Sequence, residues 1–85
     1  MIPFVTPVAG GLMVDWSDFI TPDDFQLFEV WFGTLSPPGQ IRSRTQAKQV
    51  TLTGLTPGTT YYVQVFAHDW FGPGDGSGIV DGVPL

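Results

Sequence analysis

The chain has 85 residues, of which 42 % are hydrophobic and 13 % are charged, so it is long enough for one domain with a modest core and too apolar for a disordered segment. The formal net charge is −5 and the only basic residues are Arg42, Arg44 and Lys48, which argues against nucleic acid as a partner because phosphate binding requires several clustered cations. Cysteine is absent and no apolar run approaches the roughly 20 residues of a membrane span, so neither a disulfide framework, a thiolate metal site nor a membrane partner is expected.

Eleven glycines and eight prolines interrupt the chain and leave no stretch suited to a helix of ordinary length, which favours an all-β fold. A short first strand is expected within residues 2–8. In residues 12–16 the side chains alternate so that one face is apolar and includes Trp16, which predicts a second strand with one buried face. Residues 17–24 are predicted as an exposed acidic loop, and residues 25–32 are strongly β-prone.

The phase of this third strand is set by its single charged residue, Glu29. If Glu29 faces water, Phe28 and Val30 point into the core. Leu27 and Trp31 then lie on the outer face beside Glu29.

The remaining segments predict four more β elements and their turns. Residues 41–44 follow a turn rich in proline and glycine and are predicted as a short edge strand, and residues 49–52 and 61–68 alternate as two further strands. Residues 70–78 contain four glycines and a proline and are predicted as a long flexible loop before a last strand at residues 79–83. Seven short strands with regular turns predict an antiparallel β-sandwich with Greek-key connections.

Residues 55–65, with the sequence LTPGTTYYVQV, resemble the corner between strands E and F of fibronectin type III domains. In such a corner Leu55 closes the core, Pro57 and Gly58 make the turn, and Tyr61 packs its ring inward while its hydroxyl caps a backbone group. Trp16 is similar to the core tryptophan of the family. The resemblance covers almost the whole chain and implies that residues 1–85 form a single seven-stranded, immunoglobulin-like domain without catalytic activity.

The residues assigned to the structural core share an inward phase or a place in this corner. They are Trp16, Phe28, Val30, Leu55, Pro57, Gly58, Tyr61, Val63 and Val65.

No pattern of catalytic or metal-binding residues rises above chance. His68 lies beside Asp69 and would have to serve as the base of any hydrolytic triad, but it ends an outward-facing strand and is expected to be a solvated surface histidine. The glycines of residues 72–78 are not followed by a helix that could bind phosphate. Acidic side chains could offer oxygen ligands to Ca²⁺ from two loops at one end of the sandwich, but their spacing matches no calcium-binding loop; they are Asp15, Asp18, Asp23, Asp24, Asp69 and Asp75. No catalytic residue, metal ligand or cofactor is therefore assigned.

One group of exposed side chains predicts a protein interface. Leu27, Trp31, Tyr62 and Phe66 are all expected on the outer face of the sheet that contains the third and sixth strands. Exposed apolar patches with Trp and Tyr are typical of binding surfaces. The alternative is cross-strand packing that stiffens the sheet and is partly covered by the two arginine side chains of the edge strand.

Residues 24–31 and 68–72 are similar to the copies of this domain in bacteriophage tail proteins and bacterial extracellular proteins. This resemblance implies a virion accessory protein, either a capsid decoration or a tail component, that binds a lattice or tail protein. The alternative is a spacer or carbohydrate-proximity module of a bacterial secreted enzyme or adhesin, in an extracellular location. In that role Trp31, Tyr62 and Trp70 would make weak stacking contacts with sugar rings.

Overall fold

The computed structural model describes residues 2–21, 25–69 and 72–85, and all of the regular secondary structure in these ranges is β-strand. Glycine occurs in several of the described turns, and Gly10, Gly54 and Gly58 adopt the positive φ angles that glycine tolerates. The strands are β1 (Phe4–Val8), β2 (Gly11–Asp15), β3 (Phe25–Gly33), β4 (Gln40–Thr45), β5 (Gln49–Leu52), β6 (Tyr61–Asp69), β7 (Gly72–Gly76) and β8 (Val80–Gly82).

The strands form two antiparallel sheets. One sheet has the order β1-β2-β5, and the other has the order β4-β3-β6, with β7 and β8 both paired to the far edge of β6. The chain passes between the sheets after β2, β4 and β5, as Greek-key connections require. The all-β, immunoglobulin-like sandwich predicted from the sequence is confirmed.

The glycine-rich segment was wrongly predicted as a long flexible loop. Residues Gly72–Gly76 form β7 and pair with β6, so that Gly76 lies opposite Phe66 and Gly72 opposite Asp69. Main-chain hydrogen bonds need no side chains, and glycine is required where a neighbouring ring covers the strand. A Cβ atom at Gly76 would lie 2.7 Å from Cε1 of Phe66, closer than carbon atoms can approach. Trp70 and Phe71, which the prediction also covered, lie outside the described residues.

Ser77 maintains the hydrogen bonding where the last strand is interrupted. Its backbone N–H donates to the carbonyl oxygen of Val65 at 2.8 Å, and its hydroxyl oxygen accepts a hydrogen bond from Val65 N at 2.9 Å. The side chain thus replaces the backbone acceptor that a regular strand would supply. The last strand predicted, at residues 79–83, is confirmed as β8, and the unpredicted β7 precedes it on the same edge of β6, separated from it by a segment that contains this buried serine.

The core lies between the sheets and is centred on an edge-to-face contact between Trp16 and Phe28, with ring centroids 5.3 Å apart. Seven of the residues assigned to the core are buried, namely Trp16, Phe28, Val30, Leu55, Tyr61, Val63 and Val65. Pro57 and Gly58 are exposed, so their assignment to the core is corrected. They shape the turn instead, because Gly58 has a φ of 80°, which glycine adopts without the steric cost of a side chain.

Candidate interaction face

The outer face is the side of the β4-β3-β6 sheet that points away from the core. The register of β3 and β6 places Leu27 opposite His68 and Trp31 opposite Gln64. Tyr62 and Phe66 belong to the same face of β6. All four residues of the predicted interface are therefore on one face, and each is half-buried.

Trp31 and Phe66 form the centre of this face. Their rings meet edge to face with centroids 5.9 Å apart, an arrangement favoured by aromatic quadrupoles. Phe66 also covers the bare backbone of Gly76. Leu27 and Tyr62 lie at opposite ends of the face. Of the four predicted residues, only Trp31 and Phe66 are in ring contact with each other.

Glu29 lies on the outer face as predicted, but it is not exposed to water. It is 8 % exposed because three neighbouring side chains cover its carboxylate. Arg44 Nε donates to Oε2 at 3.0 Å, Trp31 Nε1 donates to Oε1 at 3.3 Å, and His68 Nε2 lies 2.9 Å from Oε1. The alternating pattern correctly predicted that the Glu29 side chain points to the outer face. Its burial depends on the side chains of Arg44 and His68, which belong to two other strands.

These contacts set the ionisation of Glu29. Burial alone would raise its pKa, but the hydrogen bond from Arg44 and the contacts with His68 and Trp31 outweigh burial and hold the pKa below its ordinary value. The expectation that His68 is a solvated surface residue is also corrected. Its side chain is 20 % exposed and lies against the carboxylate of Glu29.

The two arginines of β4 are on opposite faces, so they do not both cover the aromatic patch as the alternative interpretation supposed. A register shift opposite Val30 and Trp31 separates them. Arg44 remains on the outer face, while the guanidinium of Arg42 lies 5.4 Å from the ring centroid of Phe32 and donates to the backbone carbonyl oxygen of Thr53, just after β5.

The same shift places Ile41 opposite Trp31, where it is 38 % exposed. Ile41 thereby extends the outer face beyond the predicted residues. No signal in the sequence marks the shift, since a bulge in a short edge strand depends on how the paired strands fit.

The corner between β5 and β6 has the geometry that the sequence resemblance implied. The hydroxyl oxygen of Tyr61 accepts a hydrogen bond from the backbone N–H of Thr56 at 3.0 Å, and this bond lowers the pKa of Tyr61. The Tyr61 ring stacks on Phe32 with centroids 6.0 Å apart. The corner is thus closed by a side chain that is both packed and hydrogen-bonded.

Within the described ranges, no group of three or more histidine, aspartate or glutamate side chains is arranged to hold a metal ion. The carboxylate of Asp15 accepts a hydrogen bond from the backbone N–H of Ser17 instead. Asp23, Asp24 and Trp70 lie outside the described residues. The described part of the chain also contains no helix with the length and hydropathy needed to cross a membrane.

A two-sheet sandwich with a tyrosine-tied corner and an aromatic outer face defines a class of binding or structural module. Residues 5–82 match the family model described as "Fibronectin type III domain", and the chain belongs to this family. Domains of this family are non-enzymatic interaction or structural modules, which supports the broad functional prediction.

Solved structures agree with this assignment. The sixth fibronectin type III domain of human fibronectin type III domain containing protein 3 is 28 % identical, with a TM-score of 0.83 over 99 % of this chain and 83 % of that one. A fibronectin type III domain derived from the human KIAA0970 protein is 19 % identical, with a TM-score of 0.76 over 98 % and 70 % of the two chains, and supports the fold alone. No curated protein matches the sequence significantly. These solved relatives are human, so the bacteriophage or bacterial setting rests on the sequence resemblance.

Proposed function

We propose that this domain is a non-enzymatic docking module that binds a protein partner through its outer face. The observation that carries the proposal is the Trp31–Phe66 pair, two half-exposed aromatic rings in contact on a sheet face that points away from the core. Trp and Tyr are enriched among the residues that dominate binding energy, and covering apolar surface contributes about 25 cal/mol per Å².

The surroundings of the pair favour binding because they restrict its motion before a partner arrives. Trp31 is held by its hydrogen bond to Glu29, and Phe66 is held against Gly76. Side chains that are already ordered lose less conformational entropy on association. Arg44, whose side chain is 60 % exposed, adds a cation at the rim of the apolar patch, where charged residues guide orientation.

For the partner we propose a lattice or tail protein of a virion, with the domain as a decoration or tail component. This part of the proposal is supported by the resemblance of residues 24–31 and 68–72 to the bacteriophage copies of the family. The alternative remains a spacer or carbohydrate-proximity module of a bacterial extracellular protein. Neighbouring capsid, portal or tail genes would support the first role, and a single long reading frame encoding an enzyme or adhesin would support the second.

The decisive experiment compares Trp31→Ala and Phe66→Ala with Phe4→Ala, which removes an aromatic ring that is 66 % exposed on the other sheet. Loss of a central anchor is expected to weaken binding to purified particles by about tenfold or more, while the control binds as the wild type does. Melting temperatures are measured for all three variants.

Unchanged particle binding together with a large loss of stability would show that the pair is intramolecular packing. If Trp31→Ala and Tyr62→Ala instead abolish binding to a soluble polysaccharide, the carbohydrate role is the correct one.

A further inference from the structure

The five most exposed large apolar side chains of the described residues are concentrated at the two ends of the sandwich. Ile2, Phe4 and Ile20 lie at one end, where Phe4 pairs with Asp15 at the close of β2. Leu85 lies at the other end, because its N–H donates to the carbonyl oxygen of Val8, where β1 finishes. Leu35 lies there too, since it lines one hollow with Leu55, whose N–H donates to Gly10 just after β1. We call these the N-terminal end and the C-terminal end.

The N-terminal end contains an apolar hollow of about 540 Å³. Its rim is formed by Ile2, Phe4 and Ile20, which are 73 %, 66 % and 87 % exposed, and Trp16 lies at its floor. The buried indole Nε1 of Trp16 has no hydrogen-bond partner among the described residues. Asp18 is the charged residue of this hollow.

The C-terminal end contains a second hollow of similar size, about 520 Å³. It is lined by the stacked rings of Phe32 and Tyr61 and by Leu35, which projects with 77 % of its surface exposed. Its charged residue is Arg42, whose guanidinium lies against Phe32.

The two hollows are complementary in charge as well as in apolar character. Arg42 lines the C-terminal hollow, whereas Lys48 lies at the N-terminal end beside Trp16 but does not line the N-terminal hollow. The N-terminal hollow offers a carboxylate instead. Opposite charges at the edge of an apolar contact favour one orientation, because pairing two N-terminal hollows would bring two Asp18 carboxylates together and pairing two C-terminal hollows would bring two Arg42 guanidinium groups together.

We propose that copies of this chain associate end to end, with the N-terminal hollow of one copy covering Leu35 of the next and with Asp18 facing Arg42. The two surfaces are different, so the contact is heterologous and repeats from copy to copy, giving an open chain or a closed ring. The outer face stays free along the whole assembly, and this self-association is independent of the docking function proposed above.

The test uses charge reversal at each end, followed by sedimentation velocity over a range of protein concentrations. Asp18→Lys and Arg42→Glu should each weaken self-association by about tenfold or more, because each places like charges across the contact. An equimolar mixture of the two variants should associate as strongly as the wild type, since every contact in an alternating assembly again pairs opposite charges.

The matched control is Asp81→Lys, which makes the same change in charge at an exposed position of β8 that lines neither hollow. This variant and Asp18→Lys both reduce the net negative charge, so non-specific association would strengthen equally in both. Weakening by Asp18→Lys alone supports the proposal. If Arg42→Glu unfolds, Leu35→Ser is tested as a single variant instead, and it should weaken self-association because it removes the side chain that the neighbouring copy covers. A wild-type chain that stays monomeric at all concentrations, or a mixture that fails to restore association, overturns the proposal.

Discussion

Replacing Tyr61 by Phe removes one oxygen atom from the corner and leaves the ring that stacks on Phe32. The lost hydroxyl accepts the backbone N–H of Thr56 at 3.0 Å, so the variant leaves that donor without its protein partner. Thr56 is itself exposed, and water can bind the freed N–H group in part. We therefore expect a loss of about 1 to 2 kcal/mol in the free energy of unfolding, the ordinary cost of losing a partly buried hydrogen bond.

Urea denaturation measures this loss as a lower midpoint with an unchanged slope, and thermal denaturation as a melting temperature lower by about 4–8 °C for each kcal/mol. Tyr62→Phe is the matched control, because it removes the same atom from the neighbouring residue, whose hydroxyl has no hydrogen-bond partner in the described part of the chain. Equal stability of the two variants would refute the role assigned to the corner hydroxyl.

Three further outcomes follow from the core, the outer face and the acidic loops. Trp16→Ala should lower the free energy of unfolding by about 3 to 5 kcal/mol in urea titrations, because it leaves a large cavity beside Phe28. The pKa of Glu29 lies below its ordinary value near 4.5 in the folded state, so its stabilising contribution is complete above that pH and is lost as the pH falls through the lowered pKa. Glu29→Gln should therefore flatten the acid dependence of the melting temperature. EDTA and micromolar Ca²⁺ should leave the melting temperature unchanged, and an increase of several degrees with Ca²⁺ would contradict the absence of an assembled ligand set among the described residues.

Period-two alternation was sufficient to predict the strands that bury one face. Residues 49–52 and 61–68 carry apolar residues at every second position, and the structure has strands there. The same reasoning failed at β7, since glycine and proline indicate turns by default and carry no periodic signal. Its pairing depends on β6, a strand that supplies both the hydrogen bonds and the ring of Phe66.

For the outer face, the sequence predicted which side chains point outward but not how they pack against one another. Alternation placed Trp31 and Phe66 on one face, but the burial of Glu29 arises from side chains that are 15 and 39 residues further along the chain, Arg44 and His68. The opposite directions of the β4 arginines and the exposure of Ile41 arise from a register shift. Such features are properties of paired strands, and a single strand's pattern does not encode them.

The division of the last strand at Ser77 has a consequence for local opening of the sheet. Three of the five residues of β7 are glycines, which have no side chain to bury, so pairing at these positions rests on main-chain hydrogen bonds. By contrast, β8 lies against Val5 and Leu12, close to the core. Segments that bury little open at a lower free energy than the rest of a domain, so amide hydrogens that pair β6 with β7 should exchange with solvent sooner than those that pair β6 with β3. The edge of the sheet beside Phe66 can then open and close as a unit while the core stays folded.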